Sequence, residues 1–398
     1  MAKTILLVIE GTYPWYRGGV SEWVYQYLNS CEAINFNVLQ IATDEFQGLD
    51  PHNALYPLTD NIVNFTRISP PNMDGSWEND SRDWFNSVST IVTDLVSTSD
   101  FIHVTNTGFA GWLGAEIATK LEKPLLLTEH AIYWEEIEKG AVALECGYKI
   151  PDTLIAKSHV VQSFKDIAKY VYSVSQTIIS VSRCNLEKQQ LLGAKDPVYI
   201  PNGIPGNAVI ESKTRSENPV IGWVGRCAEM KNPKRFFDLV AEFEELDVTP
   251  QFVMMLSDAN EKGLEEEIKN CSKEYVDVEM IWNASAIEHM HKLDMLCITS
   301  HNESQPLVLF EAIAKMALPI GWRVGDVDTE FAFVVPKDAS TKQFAKEIED
   351  LWNNRSLFEK MVKERHQKIK REHSWASIFD TYKTIFNNNI LMPVHINS

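Results

Sequence analysis

Twice along its 398 residues the chain runs through the same rhythm: short apolar runs rich in β-branched residues, separated by longer amphipathic stretches. An unbroken apolar run of four to seven residues suits a strand buried on both faces, and the amphipathic stretches between suit helices that cover a parallel sheet. In the first half the expected strands are TILLVIE (4–10), NVLQIAT (37–43), NIVNFT (61–66), FIHVT (101–105), PLLLTEH (124–130), TIISVS (177–182) and PVYI (197–200). Helices are expected from about Ser21 and over 82–98, 111–121, 153–171 and 184–192. Because one hydrophobic core rarely serves so long a chain, two domains are the default.

The stretch IPNGIPGNAVIESKTRSENP concentrates Pro, Gly, Asn and Ser without periodicity and reads as the linker. The rhythm then restarts with PVIGWVG (219–225), a helix from Pro233, QFVMMLS (251–257), VEMIW (278–282), DMLCITS (294–300) and a helix over PLVLFEAIAKM. Weaker strands at 318–322 and 331–335 precede helices near 341–352 and 355–371. The tail HSWASIFDTYKTIF carries apolar residues at 375, 378, 379, 382 and 385, roughly one helical face. The expectation is an α/β protein of two doubly wound, Rossmann-like domains, 1–205 completed by 374–398, and 206–373. Ligands of such sheets bind at the carboxyl ends of the strands, so two such edges facing each other would form a cleft.

Charge and cysteine usage narrow the partners. Lys plus Arg number 37 against 55 Asp plus Glu, a net charge of −18 that repels nucleic acid and anionic lipid. The six cysteines stand singly with no C-x-x-C, which suggests neither zinc ribbon nor redox dithiol, and free thiols of a reducing cytoplasm are expected. The opening MAKTILLVIEGTYPW has too short an apolar stretch for a signal peptide, and no run approaches the about 18 apolar residues of a span. A cytoplasmic protein is expected on these grounds.

Two clusters carry chemistry. In SHNESQPLVLFEAIAKM, the strand DMLCITS leads into a polar loop and Pro306 suits a first helical position, so Glu303 lies at the helix mouth and Glu311 one to two turns inside. The free N–H groups of such a helix start also favour an anion. In GWVGRCAEMKNPKRFF, Arg226 follows the first strand of the second domain and Lys231 stands five residues later, at the same sheet edge. A guanidinium fork and a mobile ammonium suit two adjoining phosphates. The bland reading makes all four solvated surface groups. DVD (Asp326 to Asp328) has a metal-binding look but falls late in the pattern, and His289 and His291, at i, i+2, point to different helix faces. Trp23 and Tyr27, at i, i+4, read as core rather than a sugar platform.

The GR pair with its lysine, the E-x7-E from Glu303 to Glu311 and the following EAIAKMALPI together resemble the GT-B glycosyltransferases of family GT4. EGTYPWYRGGVSEWVYQ, LTEHAIYWEE and VSRCNLEKQQLLGA…VYIPNGI are similar to the branch that builds the Pel exopolysaccharide, and the likeness spans nearly the whole chain. The resemblance implies a GT-B fold whose last helix crosses back to the first domain. It implies a retaining, metal-independent hexosyltransferase that needs no cofactor and takes a nucleotide diphosphate sugar, UDP-glucose or UDP-GlcNAc, as donor. The acceptor, a glycan, lipid or small molecule, stays open, as does peripheral association with a membrane complex. By the same resemblance Arg226 and Lys231 hold the diphosphate, Glu303 the sugar hydroxyls and Glu311 the ribose, with Ser304, Pro306 and Leu307 lining the donor. Gly18 and Gly19 let backbone approach the phosphates, His130 stands beside the transferred sugar, and Asn202 of PNGI lies near the reacting centre. Glu129 and Tyr133 serve either acceptor or fold. MMLSDAN, with Asp258, and GWRVGDVDTEF depart from the family's glycine patterns. Rival readings are a sugar-nucleotide epimerase on the same fold and a degenerate transferase serving as scaffold. A dehydrogenase fails because GTYPWYRGG lacks G-x-G-x-x-G spacing.

Overall fold

The computed structural model describes residues 3–11, 13–15, 18–43, 50, 54–72, 77–139, 153–259, 261–275 and 277–389. The chain divides into two compact units, Met1–Pro201 with Ala376–Ser398, and Asn202–Trp375.

The first unit holds a seven-stranded sheet of β1 (Thr4–Glu10), β2 (Asn35–Ile41), β3 (Ile62–Ile68), β4 (Phe101–Val104), β5 (Leu125–Glu129), β6 (Thr177–Ser180) and β7 (Val198–Tyr199), in the order β3-β2-β1-β4-β5-β6-β7. Every pairing is parallel. Such pairs need crossover connections, so helices intervene. The central strands bury almost every residue, as their uninterrupted apolar runs require. The two edges differ. On β3 Val63 is 58% exposed, and β7 shrinks to two residues, which limits its unpaired backbone. One apolar core joins the sheet to the helices Trp77–Ser97, Phe109–Leu121 and Leu154–Val174.

The second unit holds β8 (Val220–Arg226), β9 (Gln251–Ser257), β10 (Val278–Trp282), β11 (Met295–Ile298), β12 (Leu318–Trp322) and β13 (Phe333–Val335), in the order β10-β9-β8-β11-β12-β13, again all parallel. Alternation along β9 shows why its sequence is apolar throughout. Phe252, Met254 and Leu256 enter one core, while Val253 and Met255 enter a second on the opposite face.

The helix Trp375–Asn389 brings the tail back to the first sheet. Phe379 and Tyr382 are fully buried against Trp23 and Tyr27, with ring centroids 5.3 to 6.1 Å apart. Phe386, 1% exposed, completes this stripe where the periodicity places residue 385.

Several boundaries differ from the sequence reading. The first helix begins at Gly19 rather than Ser21, so Gly19 is helical and not in the loop. Pro306 is extended, with φ −71° and ψ 122°, and the helix starts at Leu307, so the proline precedes the helix instead of opening it. The helix Lys262–Glu274 is not among the expected elements; within it only Ile268 is buried, and so narrow an apolar stripe leaves little periodic signal.

Candidate functional site

In a doubly wound sheet the crevice for a ligand opens where the strand order reverses. In the second unit that point lies between β8 and β11, which are neighbours although about 70 residues separate them. Arg226 ends β8, exposed to solvent, and among the described residues its side chain makes no ion pair. A short turn, Glu229–Lys231, follows, and Asn232 closes it in the left-handed region at φ 47°. The turn rests on the end of β11. The Thr299 hydroxyl lies 2.9 Å from the Lys231 carbonyl and 2.8 Å from that of Asn232, and accepts the Trp223 indole N–H at 2.8 Å. The His301 N–H donates to the Met230 carbonyl at 2.9 Å.

This docking brings Lys231 to Glu303. Lys231 Nζ lies 2.6 Å from Glu303 Oε1, and the Ser300 hydroxyl donates to the same oxygen at 2.6 Å. The glutamate side chain is 9% exposed and the lysine 26%, so the pair is partly withdrawn from water. Charge-assisted bonds in such a setting contribute roughly 1.5 to 3 kcal/mol each.

The loop bearing Glu303 is held from beneath by a turn in which Val324 and Val327 form a bridge. Gly325 adopts φ +55°, and a Cβ there would lie 1.9 Å from the Glu303 carbonyl oxygen, so only glycine fits. The Asp326 N–H donates to the Ser304 carbonyl at 2.9 Å, and the buried Asp326 carboxylate accepts from Gln305 Nε2 at 3.1 Å. Asp328 accepts the Glu330 N–H at 2.8 Å. The DVD carboxylates are therefore engaged in building the turn. Leu307 opens the following helix, and Glu311, half-buried, stands one turn inside it.

Asn202, 5% exposed, donates its N–H to Gln305 Oε1 at 2.6 Å and accepts at its carbonyl from His373 Nδ1 at 3.1 Å. Gly203 packs on Trp375, where a Cβ would come within 2.7 Å of ring carbons. At the end of β9, Asp258 pairs with Asn283 through two hydrogen bonds of 3.0 and 3.1 Å.

In the first unit, Gly18 is extended at φ −175° directly before the helix, a conformation open to any residue, and among the described residues a Cβ added there would meet only Ser21 Oγ, at 3.9 Å. His130 follows β5. Its Nε2 is buried without a hydrogen-bond partner among the described residues, its ring meets the Trp23 edge at 4.9 Å, and burial lowers its pKa to about 3. The imidazole is neutral at physiological pH. Glu129 is fully buried. It accepts from Thr107 at 2.5 Å, and from Tyr172 and Gln189 at 2.7 Å each; burial raises its pKa and these bonds oppose the rise. Its carboxylate is held by these three side chains of its own unit. Tyr133 accepts from Asn106 at 3.2 Å. A cavity of about 440 Å³ in this unit, lined by Trp77, Phe85, Trp112 and Tyr170 among others, contains none of these residues.

Thus the second unit joins Lys231 with Glu303, adds Asn202 through Gln305, and sets Arg226 at the adjoining strand end. The sequence reading does not single out Ser300, Gln305 or Gly325. The positive-φ turn at Gly325 has a signal in the chain, the glycine in RVGDVD.

Comparison with known proteins places these observations. Residues 208–369 match the family described as glycosyl transferases group 1. Residues 3–83 and 80–197 match a domain of unknown function, DUF3492. No curated protein matches the sequence. Among solved structures, Anabaena HepE in complex with UDP-glucose is 14% identical, with 97% of this chain and 99% of that chain covered and a TM-score of 0.71. Sucrose-phosphate synthase from Thermosynechococcus elongatus is 14% identical over 97% and 98% of the two chains, TM-score 0.68. WaaG, a glycosyltransferase involved in lipopolysaccharide biosynthesis, is 12% identical over 96% and 99%, TM-score 0.65. At these identities the likeness establishes the fold, GT-B. No helix among the described residues is long and apolar enough to cross a membrane.

Proposed function

We propose that this chain, a glycosyltransferase of GT-B fold whose residues 208–369 match the glycosyl transferases group 1 family, moves a hexose from a UDP-sugar, UDP-glucose or UDP-GlcNAc, to an acceptor with retention of configuration and without a metal. The observation that carries this reading is the 2.6 Å contact between Lys231 and Glu303 beside the strand end that bears Arg226. One cation and one carboxylate already share a spot at the switch point, where a ligand of this fold is held. On donor binding the diphosphate takes Glu303's place as the lysine's partner, and Glu303 turns to the sugar hydroxyls.

Cleavage of the sugar–phosphate bond builds negative charge on the leaving diphosphate. Arg226 and Lys231, carried on backbone held by β8 and by the Thr299 contacts, stabilise that charge once the donor is bound, which is the role a divalent cation plays elsewhere. Glu311 in this reading holds the ribose. For His130, whose Nε2 is buried without a hydrogen-bond partner among the described residues, the place beside the transferred sugar is the one the resemblance implies. By the same resemblance, same-face attack with a donor phosphate oxygen as base is the chemistry proposed. The UDP-glucose complex of HepE supports a uridine donor, and the resemblance of several motifs to the Pel branch supports a part in exopolysaccharide biosynthesis, with a glycan, a lipid or a small molecule as acceptor.

The test is a panel of UDP-, ADP- and GDP-sugars read by thermal shift and nucleotide release, with and without EDTA. One UDP-sugar should raise the melting temperature and release UDP at a rate indifferent to the chelator. A rate abolished by EDTA removes metal independence. An epimerised donor without transfer moves the assignment to an epimerase.

A further inference from the structure

Gln305 sits between the two glutamates of the E-x7-E motif, 7% exposed, and uses both ends of its amide inside the second unit. Its Oε1 accepts the Asn202 N–H at 2.6 Å and its Nε2 donates to Asp326 at 3.1 Å. The Asn202 carbonyl is held in turn by His373 Nδ1 at 3.1 Å; since a carbonyl only accepts, that nitrogen carries the proton. The peptide on either side of the Asn202 side chain is thereby fixed. What remains is its Oδ1, a buried acceptor with no hydrogen-bond partner among the described residues. Native structures rarely leave such an atom empty-handed, and a buried acceptor on backbone held at both ends suits an O–H group that arrives with a ligand.

We propose that Gln305 is a positioning residue of the transfer reaction. It fixes Asn202 so that Asn202 Oδ1 accepts a hydroxyl of the bound nucleotide sugar, and it ties that atom to the loop that presents Glu303. The inference rests on the transferase reading of the same site. It adds a specific dependence: the amide must offer an acceptor to Asn202 and a donor to Asp326 at once. Leucine offers neither, and glutamate sets a second carboxylate against Asp326. In the double variant Gln305→Glu/Asp326→Asn the donor and acceptor are exchanged across the 3.1 Å contact, so both hydrogen bonds return without the repulsion.

The experiment compares wild type, Gln305→Leu, Gln305→Glu and the double variant. Amide hydrogen exchange at Asn202 should quicken at least about tenfold in Gln305→Leu, while the Ile204 N–H, bonded to the His373 carbonyl at 2.7 Å, keeps its protection. With the UDP-sugar found active, kcat should fall about ten- to a hundredfold in both single variants, UDP affinity should stay within about twofold, and the double variant should recover to within about threefold of wild type. Unchanged protection of Asn202 in Gln305→Leu, a full kcat in that variant, or a double variant no better than Gln305→Glu overturns the proposal. If Gln305→Leu does not fold, the comparison of Gln305→Glu with the double variant decides the matter. A wild-type chain inert towards every donor is a different failure, that of the transferase reading, and it takes the catalytic role of Gln305 with it.

Discussion

Lys231 Nζ and Glu303 Oε1 lie 2.6 Å apart although 72 residues separate them along the chain. Before a donor arrives, therefore, each of the two groups proposed to grip it is satisfied by the other, and binding must exchange one partner for another.

Replacing Lys231 with alanine removes a charge-assisted bond of roughly 1.5 to 3 kcal/mol. Affinity for UDP should drop about tenfold to a hundredfold, and the thermal shift with the UDP-sugar should vanish. Isothermal titration checks this, and an unchanged dissociation constant would remove Lys231 from the phosphate site.

Glu303→Ala leaves that ammonium without its protein partner. UDP should then bind as well as to wild type or more tightly, because no ion pair has to open, while sugar transfer is lost. Titration with UDP beside an activity assay separates the two effects. Full transfer by this variant would show that Glu303 does not touch the sugar.

Gly325→Ala meets two obstacles, the left-handed backbone at φ +55° and the Glu303 carbonyl oxygen 1.9 Å from the added carbon. The backbone strain alone costs about 1 to 2 kcal/mol, and relief of the clash must displace the Glu303 loop. Transfer should fall at least about tenfold with a modest loss of melting temperature. A variant with wild-type kinetics would show that the loop tolerates the shift.

His103 is completely buried, with ring nitrogens 3.0 Å from the Tyr27 hydroxyl and 2.9 Å from that of Thr128, and burial together with the nearby His130 lowers its pKa to about 3. In the unfolded chain an imidazole titrates near about 6.5. Between these values the unfolded state binds a proton that the folded state refuses, so stability is complete above about pH 6.5 and declines as pH falls towards 3, by up to about 1.4 kcal/mol per pH unit for this histidine. Urea unfolding at pH 7, 6 and 5 should show the decline, and the His103 ring resonances should not titrate over that range. A titration midpoint near 6.5 would contradict the buried, neutral ring.

Phe379→Ala should destabilise the first unit by about 3 to 5 kcal/mol, the cost of truncating a fully buried aromatic ring. Denaturant melts read this directly. A loss below about 1 kcal/mol would mean that the tail helix contributes little to that core.

The chain alone determined the architecture. Uninterrupted runs such as LLVI before Glu10 and FVMML after Gln251 are tolerable only in strands covered on both faces, and that forces parallel sheets with helices on either side. Motif spacing also put Arg226 and Lys231 near one strand end and Glu303 near another. It could not say that these ends adjoin, because adjacency of β8 and β11 is set by sheet order, which depends on which strands pair. Nor could it show that Lys231 and Glu303 meet, that Gln305 joins Asn202 to Asp326, or that Gly325 makes room for a carbonyl. Hydrophobic periodicity records which faces are buried, whereas these contacts join residues from distant segments at loop ends, where no periodic burial leaves a trace in the sequence. Only the folded backbone brings such atoms within hydrogen-bonding distance.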